Sequence, residues 1–200
     1  LVGKDIIFMN DIQKQEIQRL MEGNERFVKG ECSCHTRNLE TLRQFMTHQE
    51  PKTIILSCSD SRVIPEVIFD CGIGELFVVR TAGATIGLTF DILESIEFGV
   101  SKLKAPLLIL LGHDDCGVTK YAKDYYSENK ESYTSIMSNL CPIVEEQGHL
   151  HYDEITKMHT QTLIKLLKER SMIISEAVSN GNLEIVGAHF HFDTGKINLL

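Results

Sequence analysis

The sequence predicts an α/β fold with a mostly parallel central β-sheet, flanked by helices and preceded by an N-terminal helical arm. Two observations lead to this prediction. Four short runs are nearly continuous in apolar residues: 53–57, 76–80, 107–111 and 183–188. Strands that are buried on both faces show this pattern. Helical patterns separate these runs, and alternating strands and helices are typical of a parallel sheet with right-handed crossovers.

The arm consists of two predicted helices. Apolar residues recur at helical spacing over 11–29, where Asp11 is placed to cap the start of the helix and Gly30 its end. A second helical stretch, over 38–47, ends before Pro51. More apolar surface lies on this arm than an isolated helix can hide.

Three helices are predicted between and after the strands, over residues 89–103, 118–126 and 152–179. The polar stretch 127–133 is interpreted as a surface loop. We therefore expect one domain over residues 1–200, in which an arm of about residues 10–50 precedes an α/β core over 53–200.

The composition excludes some classes of partner. The longest apolar run, over 105–111, is far shorter than the roughly 18 residues of a membrane helix, so we expect no membrane span. The net charge of −8 repels polyanions and argues against nucleic acid. The chain is large enough to fold without disulfides, and we expect no signal peptide, so its six cysteines predict a reducing, cytoplasmic location.

Two polar segments follow predicted strands. Residues 58–62 read Cys-Ser-Asp-Ser-Arg after the first strand, and residues 112–117 read Gly-His-Asp-Asp-Cys-Gly after the third. Because ligands of open α/β sheets bind beyond the carboxyl ends of the strands, we expect both segments at one edge of the sheet.

Cys58, His113 and Cys116 are donors that zinc prefers, and three protein ligands leave a position for water or substrate. Asp60 is placed to bind the metal or to accept a hydrogen bond beside it, and Arg62 is placed to keep this carboxylate ionised. The residues alone leave two alternatives open: a cysteine nucleophile paired with His113, or no site.

The Cys-x-Asp-x-Arg and His-x-x-Cys pair resembles that of the β-class carbonic anhydrases. Weaker similarities to this family lie in residues 23–30, 77–83 and 186–196, and the resemblance spans about residues 20–197. It implies the β-carbonic-anhydrase fold and a lyase, carbonate dehydratase, in which hydroxide bound to zinc attacks carbon dioxide to form bicarbonate and a proton.

The resemblance also implies roles for individual residues. Zn2+ would be held by Cys58, His113 and Cys116, with Asp60 as a fourth ligand in a resting form only. Asp60 and Arg62 would be catalytic, and the protein would be a homodimer or a higher even-numbered homo-oligomer.

The substrate pocket implied by the family contains Phe77, Ala82 and Gly117. The family often has Arg-Asn-Ala-Gly-Asn where this chain has Arg-Thr-Ala-Gly-Ala at residues 80–84, which removes two amide side chains beside the pocket. Two alternative functions share the zinc site: hydrolysis of carbonyl sulfide or carbon disulfide, and non-catalytic zinc or bicarbonate binding.

The remaining donor-rich residues receive other interpretations. Cys32 and Cys34 stay unassigned, and Cys71 and Cys141 are interpreted as packing residues. His189 and His191 would share one face of a strand, and we interpret them as packing or interface residues because no third ligand is near them in the sequence.

Overall fold

A computed structural model of the chain describes residues 9–32, 36–88, 90–128 and 134–200. The helices are α1 (Asp11–Lys29), α2 (Leu39–Gln44), α3 (Pro65–Ile68), α4 (Asp91–Ser101), α5 (Gly117–Glu128), α6 (Cys141–Gln147), α7 (Tyr152–Arg170) and α8 (Met172–Ser179). The strands are β1 (Thr53–Cys58), β2 (Leu76–Thr81), β3 (Leu107–His113), β4 (Glu184–Phe190) and β5 (Ile197–Leu199). Among the helices of the described ranges, none is both long enough and apolar enough to cross a membrane.

The five strands form one sheet in the order β2-β1-β3-β4-β5. The first four are parallel to their neighbours, and β5 runs antiparallel to β4. The prediction of a mostly parallel sheet with flanking helices and an N-terminal helix is therefore confirmed.

Both faces of the central strands are buried. Ile54 and Leu108 point into a cluster with residues of α4, α7 and α8, whereas Ile55 and Ile109 point into a second cluster with residues of α1 and α3. Because successive side chains of a strand face opposite sides of the sheet, burial on both sides requires continuous apolar runs.

The structure differs from the prediction where short elements and helix ends are concerned. The helix predicted over 152–179 is two helices, since Ser171 has extended backbone angles (φ −130°, ψ 114°) and its side chain caps α8 by accepting a hydrogen bond from the Ile174 amide. The helix predicted over 38–47 is reduced to Leu39–Gln44. Helices α3 and α6 and strand β5 are too short to produce a periodic pattern.

Asn24 links α1 to the rest of the fold. Its side-chain amide donates to the carbonyls of Ile68 (3.2 Å) and Gly195 (2.9 Å), and its Oδ1 accepts from the amide of Ile197 (3.0 Å). Asn24 is only 3% exposed, so these groups have little water available as a substitute partner.

Replacing Asn24 with alanine should lower the free energy of unfolding by about 2 to 4 kcal/mol, because buried backbone groups would lose their partner. The matched control is Gln15→Ala on the exposed face of the same helix, which should change it by no more than about 0.5 kcal/mol. Urea denaturation of both variants measures the difference. Equal unfolding midpoints would contradict this role of Asn24.

Candidate metal centre

The two polar segments lie next to each other at the carboxyl edge of the sheet. Strand β1 ends at Cys58 and strand β3 ends at His113, and the two strands are parallel neighbours with Ser57 opposite Leu111. A turn then brings Cys116 to the start of α5, where its carbonyl accepts a hydrogen bond from the amide of Lys120. The sheet and one helix thus place the three predicted ligands.

The ligand atoms of Cys58, His113 and Cys116 all lie within 4.8 Å of one another. The three residues are 5%, 1% and 2% exposed, respectively. The Nδ1 atom of His113 lies 2.7 Å from the Asp114 carbonyl, which assigns the proton to Nδ1 and leaves the lone pair on Nε2. That buried Nε2 has no hydrogen-bond partner among the described residues, as a nitrogen meant for a metal would.

The donor set fits zinc. Two thiols and one imidazole are ligands that zinc prefers, and a three-ligand set is typical of a catalytic zinc site with an open position. Cysteine binds metal as the thiolate, and two backbone amides stabilise this form of Cys58: those of Gly83 (3.3 Å) and Asp60 (3.4 Å) both donate to its Sγ.

The two thiols behave as a coupled pair. A hydrogen bond with Cys116 is the largest cause that lowers the pKa of Cys58, to about 6, and the backbone amides of Asp60 and Gly83 lower it further against the opposing effect of burial. The same hydrogen bond, together with burial, raises the pKa of Cys116 to about 12. At neutral pH the metal-free pair therefore shares one proton and carries one negative charge.

Asp60 is held by Arg62 through both carboxylate oxygens. The Nε atom of Arg62 donates to Oδ1 at 3.0 Å and Nη2 donates to Oδ2 at 2.8 Å. This pairing, opposed by partial burial, lowers the pKa of Asp60 to about 2. Arg62 is also paired with Asp115 (3.3 Å), and its guanidinium lies over the Phe192 ring.

The residues expected in the pocket lie at different distances from this cluster. Ala82 precedes the Gly83 amide that contacts Cys58, and Gly117 follows Cys116, is exposed and has open space around its α-carbon. Phe77 lies four residues before Thr81, the partner of Cys58 across the strands, which corresponds to ~13 Å. Its ring packs against Phe98 of α4, with ring centroids 6.2 Å apart.

Sequence reasoning missed the role of Asp114. Its Oδ1 lies 2.8 Å from Nε2 of His189, and its Oδ2 lies 3.2 Å from Nδ1 of His191 and accepts from the amide of Phe192 at 3.1 Å. Asp114 is therefore a potential third ligand beside the two histidines in space, although it lies 75 and 77 residues from them in the sequence. The shared strand face of the histidines was a usable signal, but nothing local in the sequence connects them to Asp114.

Among the described residues, three other cysteines take no part in the cluster: Cys32, Cys71 and Cys141. Cys71 and Cys141 are buried within apolar clusters, in agreement with their interpretation as packing residues. Cys32 is a half-buried free thiol, and Cys34 lies outside the described residues.

Comparisons with known proteins agree with this geometry. A family model described as "Carbonic anhydrase" matches residues 53–197. Carbonic anhydrase 2 of Mycobacterium tuberculosis is 36% identical over 183 residues, covering 88% of this chain and 87% of that protein.

Two solved structures share the fold. A Coccomyxa β-carbonic anhydrase in complex with acetazolamide superposes with a TM-score of 0.72 at 21% identity, over 92% of this chain and 86% of that one. One of two tetrameric β-carbonic anhydrases of Sordaria macrospora gives a TM-score of 0.69 at 22% identity, over 93% and 97% of the respective chains.

In metal-free protein, the Cys58–Cys116 pair should release its first proton near pH 6 instead of at the ordinary thiol value of 9.0. Because the pKa of Cys58 is lowered, the thiolate population increases as the pH rises through 6. Ultraviolet absorbance of the thiolate, followed during a pH titration, measures this step. Cys58→Ser should abolish it and Cys141→Ala should retain it; a first step near pH 9 in the unaltered chain would contradict the coupling.

Proposed function

The chain belongs to the β-class carbonic anhydrase family, and we propose on this premise that it catalyses the reversible hydration of carbon dioxide to bicarbonate and a proton. The observation that carries the proposal is the buried cluster of Cys58, His113 and Cys116, whose ligand atoms lie within 4.8 Å of one another. Two thiols, an imidazole with a free Nε2 and an adjacent ionised carboxylate support zinc-dependent activation of water.

These three residues would hold the zinc ion. When bound, zinc acts as a Lewis acid that lowers the pKa of a coordinated water and so supplies a nucleophile near neutral pH. The Nδ1–H···O=C bond of His113 fixes the orientation of its imidazole. The backbone amides of Gly83 and Asp60 stabilise the Cys58 thiolate and so keep this ligand deprotonated.

Asp60 would orient the attacking water. Its low pKa keeps the carboxylate ionised throughout the neutral range, so Asp60 accepts a hydrogen bond and does not donate one. Arg62 holds both of its oxygens, and Asp60 would have to break these two hydrogen bonds before it could bind the metal as a fourth ligand in a resting form. Arg62 therefore favours the orienting role over the blocking one.

Small side chains support a narrow, uncharged substrate. Ala82 and Gly117 flank Cys58 and Cys116 without adding bulk, which suits the linear carbon dioxide molecule. Phe77 is too far along β2 to line the pocket of its own chain. Its assignment to the pocket requires that a second copy of the protein bring its Phe77 to this site.

We propose a homodimer or a higher even-numbered homo-oligomer. Strand β2 is an edge of the sheet, and Phe77 and Val79 on it are only partly buried, so the strand offers unpaired backbone groups and apolar side chains. Ile12 on α1 and Leu39 on α2 are 62% and 60% exposed. The tetrameric Sordaria macrospora relative supports such an assembly.

The assembly prediction is checked by sedimentation at several protein concentrations. The molar mass should be an even multiple of the chain mass, because exposed apolar surface on the arm and an open sheet edge are stabilised by burial. A monomer that retains full hydration activity would contradict both the assembly and the shared pocket.

The free thiols of the buried cysteines suit a reducing, cytoplasmic compartment, and the net charge of −8 disfavours nucleic acid as a partner.

Carbonyl sulfide and carbon disulfide are linear electrophiles like carbon dioxide, and hydrolysis of either would use the same residues. A non-catalytic zinc or bicarbonate binder would keep Asp60 permanently on the metal.

Stopped-flow hydration of carbon dioxide, with zinc content measured on the same sample, tests the function. Zinc-loaded protein should turn over, with activity that rises through about pH 7 to 8 as the activated water loses its proton. Removing the metal with a chelator should abolish activity and added zinc should restore it. Full zinc occupancy without turnover near pH 8.5 would support the binding protein instead, and faster turnover of carbonyl sulfide in a parallel assay would support the hydrolase.

Arg62→Ala should retain zinc and lose activity by roughly 10- to 100-fold, because Asp60 is no longer held in position to orient the water. The exposed Arg43→Ala is the matched control and should leave activity unchanged. Zinc analysis and stopped-flow kinetics of both variants are the measurements. Loss of zinc from Arg62→Ala would show that Arg62 has a structural role instead.

A further inference from the structure

A second cluster of metal-ligating side chains lies beside the first and shares no residue with it. Asp114, His189 and His191 present ligand atoms that all lie within 4.8 Å of one another. We propose that these three residues form a second site for a divalent transition-metal ion of the zinc, cobalt and nickel class. This site is independent of the catalytic chemistry proposed above.

The distances between the ligand atoms are close to those a metal ion requires. Asp114 Oδ1 is 2.8 Å from His189 Nε2, and Asp114 Oδ2 is 3.2 Å from His191 Nδ1. Ligands bound at 2.0 to 2.2 Å in a tetrahedral site lie roughly 3.3 to 3.6 Å apart. To admit an ion, the first contact would lengthen by roughly 0.5 to 0.8 Å and the second by roughly 0.1 to 0.4 Å.

The backbone holds the three residues in place. Strands β3 and β4 are parallel neighbours with Gly112 opposite His189, and the Asp114 amide donates to the Phe190 carbonyl at 3.1 Å. His191 follows β4 and exchanges backbone hydrogen bonds with the turn that leads into β5, at Lys196 (2.9 Å) and Gly195 (2.8 Å). Such preorganisation reduces the ordering cost of binding an ion.

Neighbouring groups support the ligands from outside the cluster. The amide of Phe192 donates to Asp114 Oδ2 at 3.1 Å, and this bond can persist while Oδ1 binds a metal. The side-chain amide of Asn198 lies 3.3 Å from His191 Nε2. Because the oxygen and nitrogen of an amide can exchange places by rotation, Asn198 can accept the Nε2 proton that His191 would carry when its Nδ1 binds metal.

The surroundings suit an ion that enters from solvent. The Asp114 and His191 side chains are 22% and 23% exposed, whereas that of His189 is fully buried. His189 binds a metal through Nε2 only as the tautomer that carries its proton on Nδ1, an atom that is buried without a hydrogen-bond partner among the described residues. Two imidazoles and a carboxylate favour zinc, cobalt, nickel or iron over magnesium and calcium, which prefer all-oxygen sites.

The competing explanation is that the three side chains only form a hydrogen-bond network that pins the 113–116 turn to β4. Both explanations account for the observed contacts. The two explanations predict different numbers of bound metal ions per chain. The two candidate sites also differ in their absorption spectra, because only the first contains thiolates.

Loading the protein with cobalt distinguishes the two explanations. The protein is stripped of metal with a chelator, loaded with excess Co2+ and desalted. Mass spectrometry then counts the bound cobalt ions per chain. The ultraviolet spectrum shows whether a thiolate-to-cobalt charge-transfer band is present. The unaltered chain should retain about two cobalt ions per chain, one of which gives the thiolate band. His191→Gln should retain about one ion with the thiolate band unchanged, and the exposed His149→Gln, as the matched control, should retain about two.

A single ion per chain that gives the thiolate band would overturn the proposal, and so would a second ion that persists in His191→Gln. Loss of the thiolate band with retention of an ion that depends on His191 would support the second site while contradicting the first. The failure of one proposal is thus distinguishable from the failure of the other.

Discussion

The parallel pairing of β1 with β3 is the constraint on which the candidate metal centre depends. With Ser57 opposite Leu111, the two strands end side by side and deliver Cys58 and His113 to one edge of the sheet. The register is specific because side chains of both strands are buried on both faces, and a slip of one residue would exchange the two apolar clusters. The hydrophobic core therefore determines the placement of polar donors that contribute nothing to it.

Beyond the strand ends, charged side chains organise the turns. Asp114 and Asp115 are adjacent but serve different neighbours. Asp114 contacts the histidines that follow from β4, whereas Asp115 pairs with Arg62 and Lys120 and donates its backbone amide to Asp153 of α7 (2.8 Å). Asp115 adopts the left-handed conformation (φ 57°), which turns the chain back so that Cys116 faces Cys58. One turn thereby connects the ligand cluster, the Asp60–Arg62 pair and the second candidate site.

Where the sequence prediction departs from the structure, the cause is tertiary packing. An apolar pattern over 152–179 is continuous through Ser171, yet the chain bends there, and the Ser171 hydroxyl both caps α8 and contacts Glu97 of α4. Phe77 is implied as a pocket residue by resemblance, and only a second copy could bring it to the pocket, because the sheet places it near Phe98 and away from the cluster of its own chain. In both cases residues from distant segments decide the outcome, and local spacing carries no information about them.

The sequence by itself determined the fold class, since continuous apolar runs are required for strands buried on both faces, and it determined which donors follow the ends of two such strands. Only the tertiary structure decided how those donors are supported. The Gly83 amide reaches Cys58 across 25 residues of sequence, and Asp114 meets His189 across 75. The physical reason is that strand register and turn conformation set these contacts, and both result from packing of the whole core.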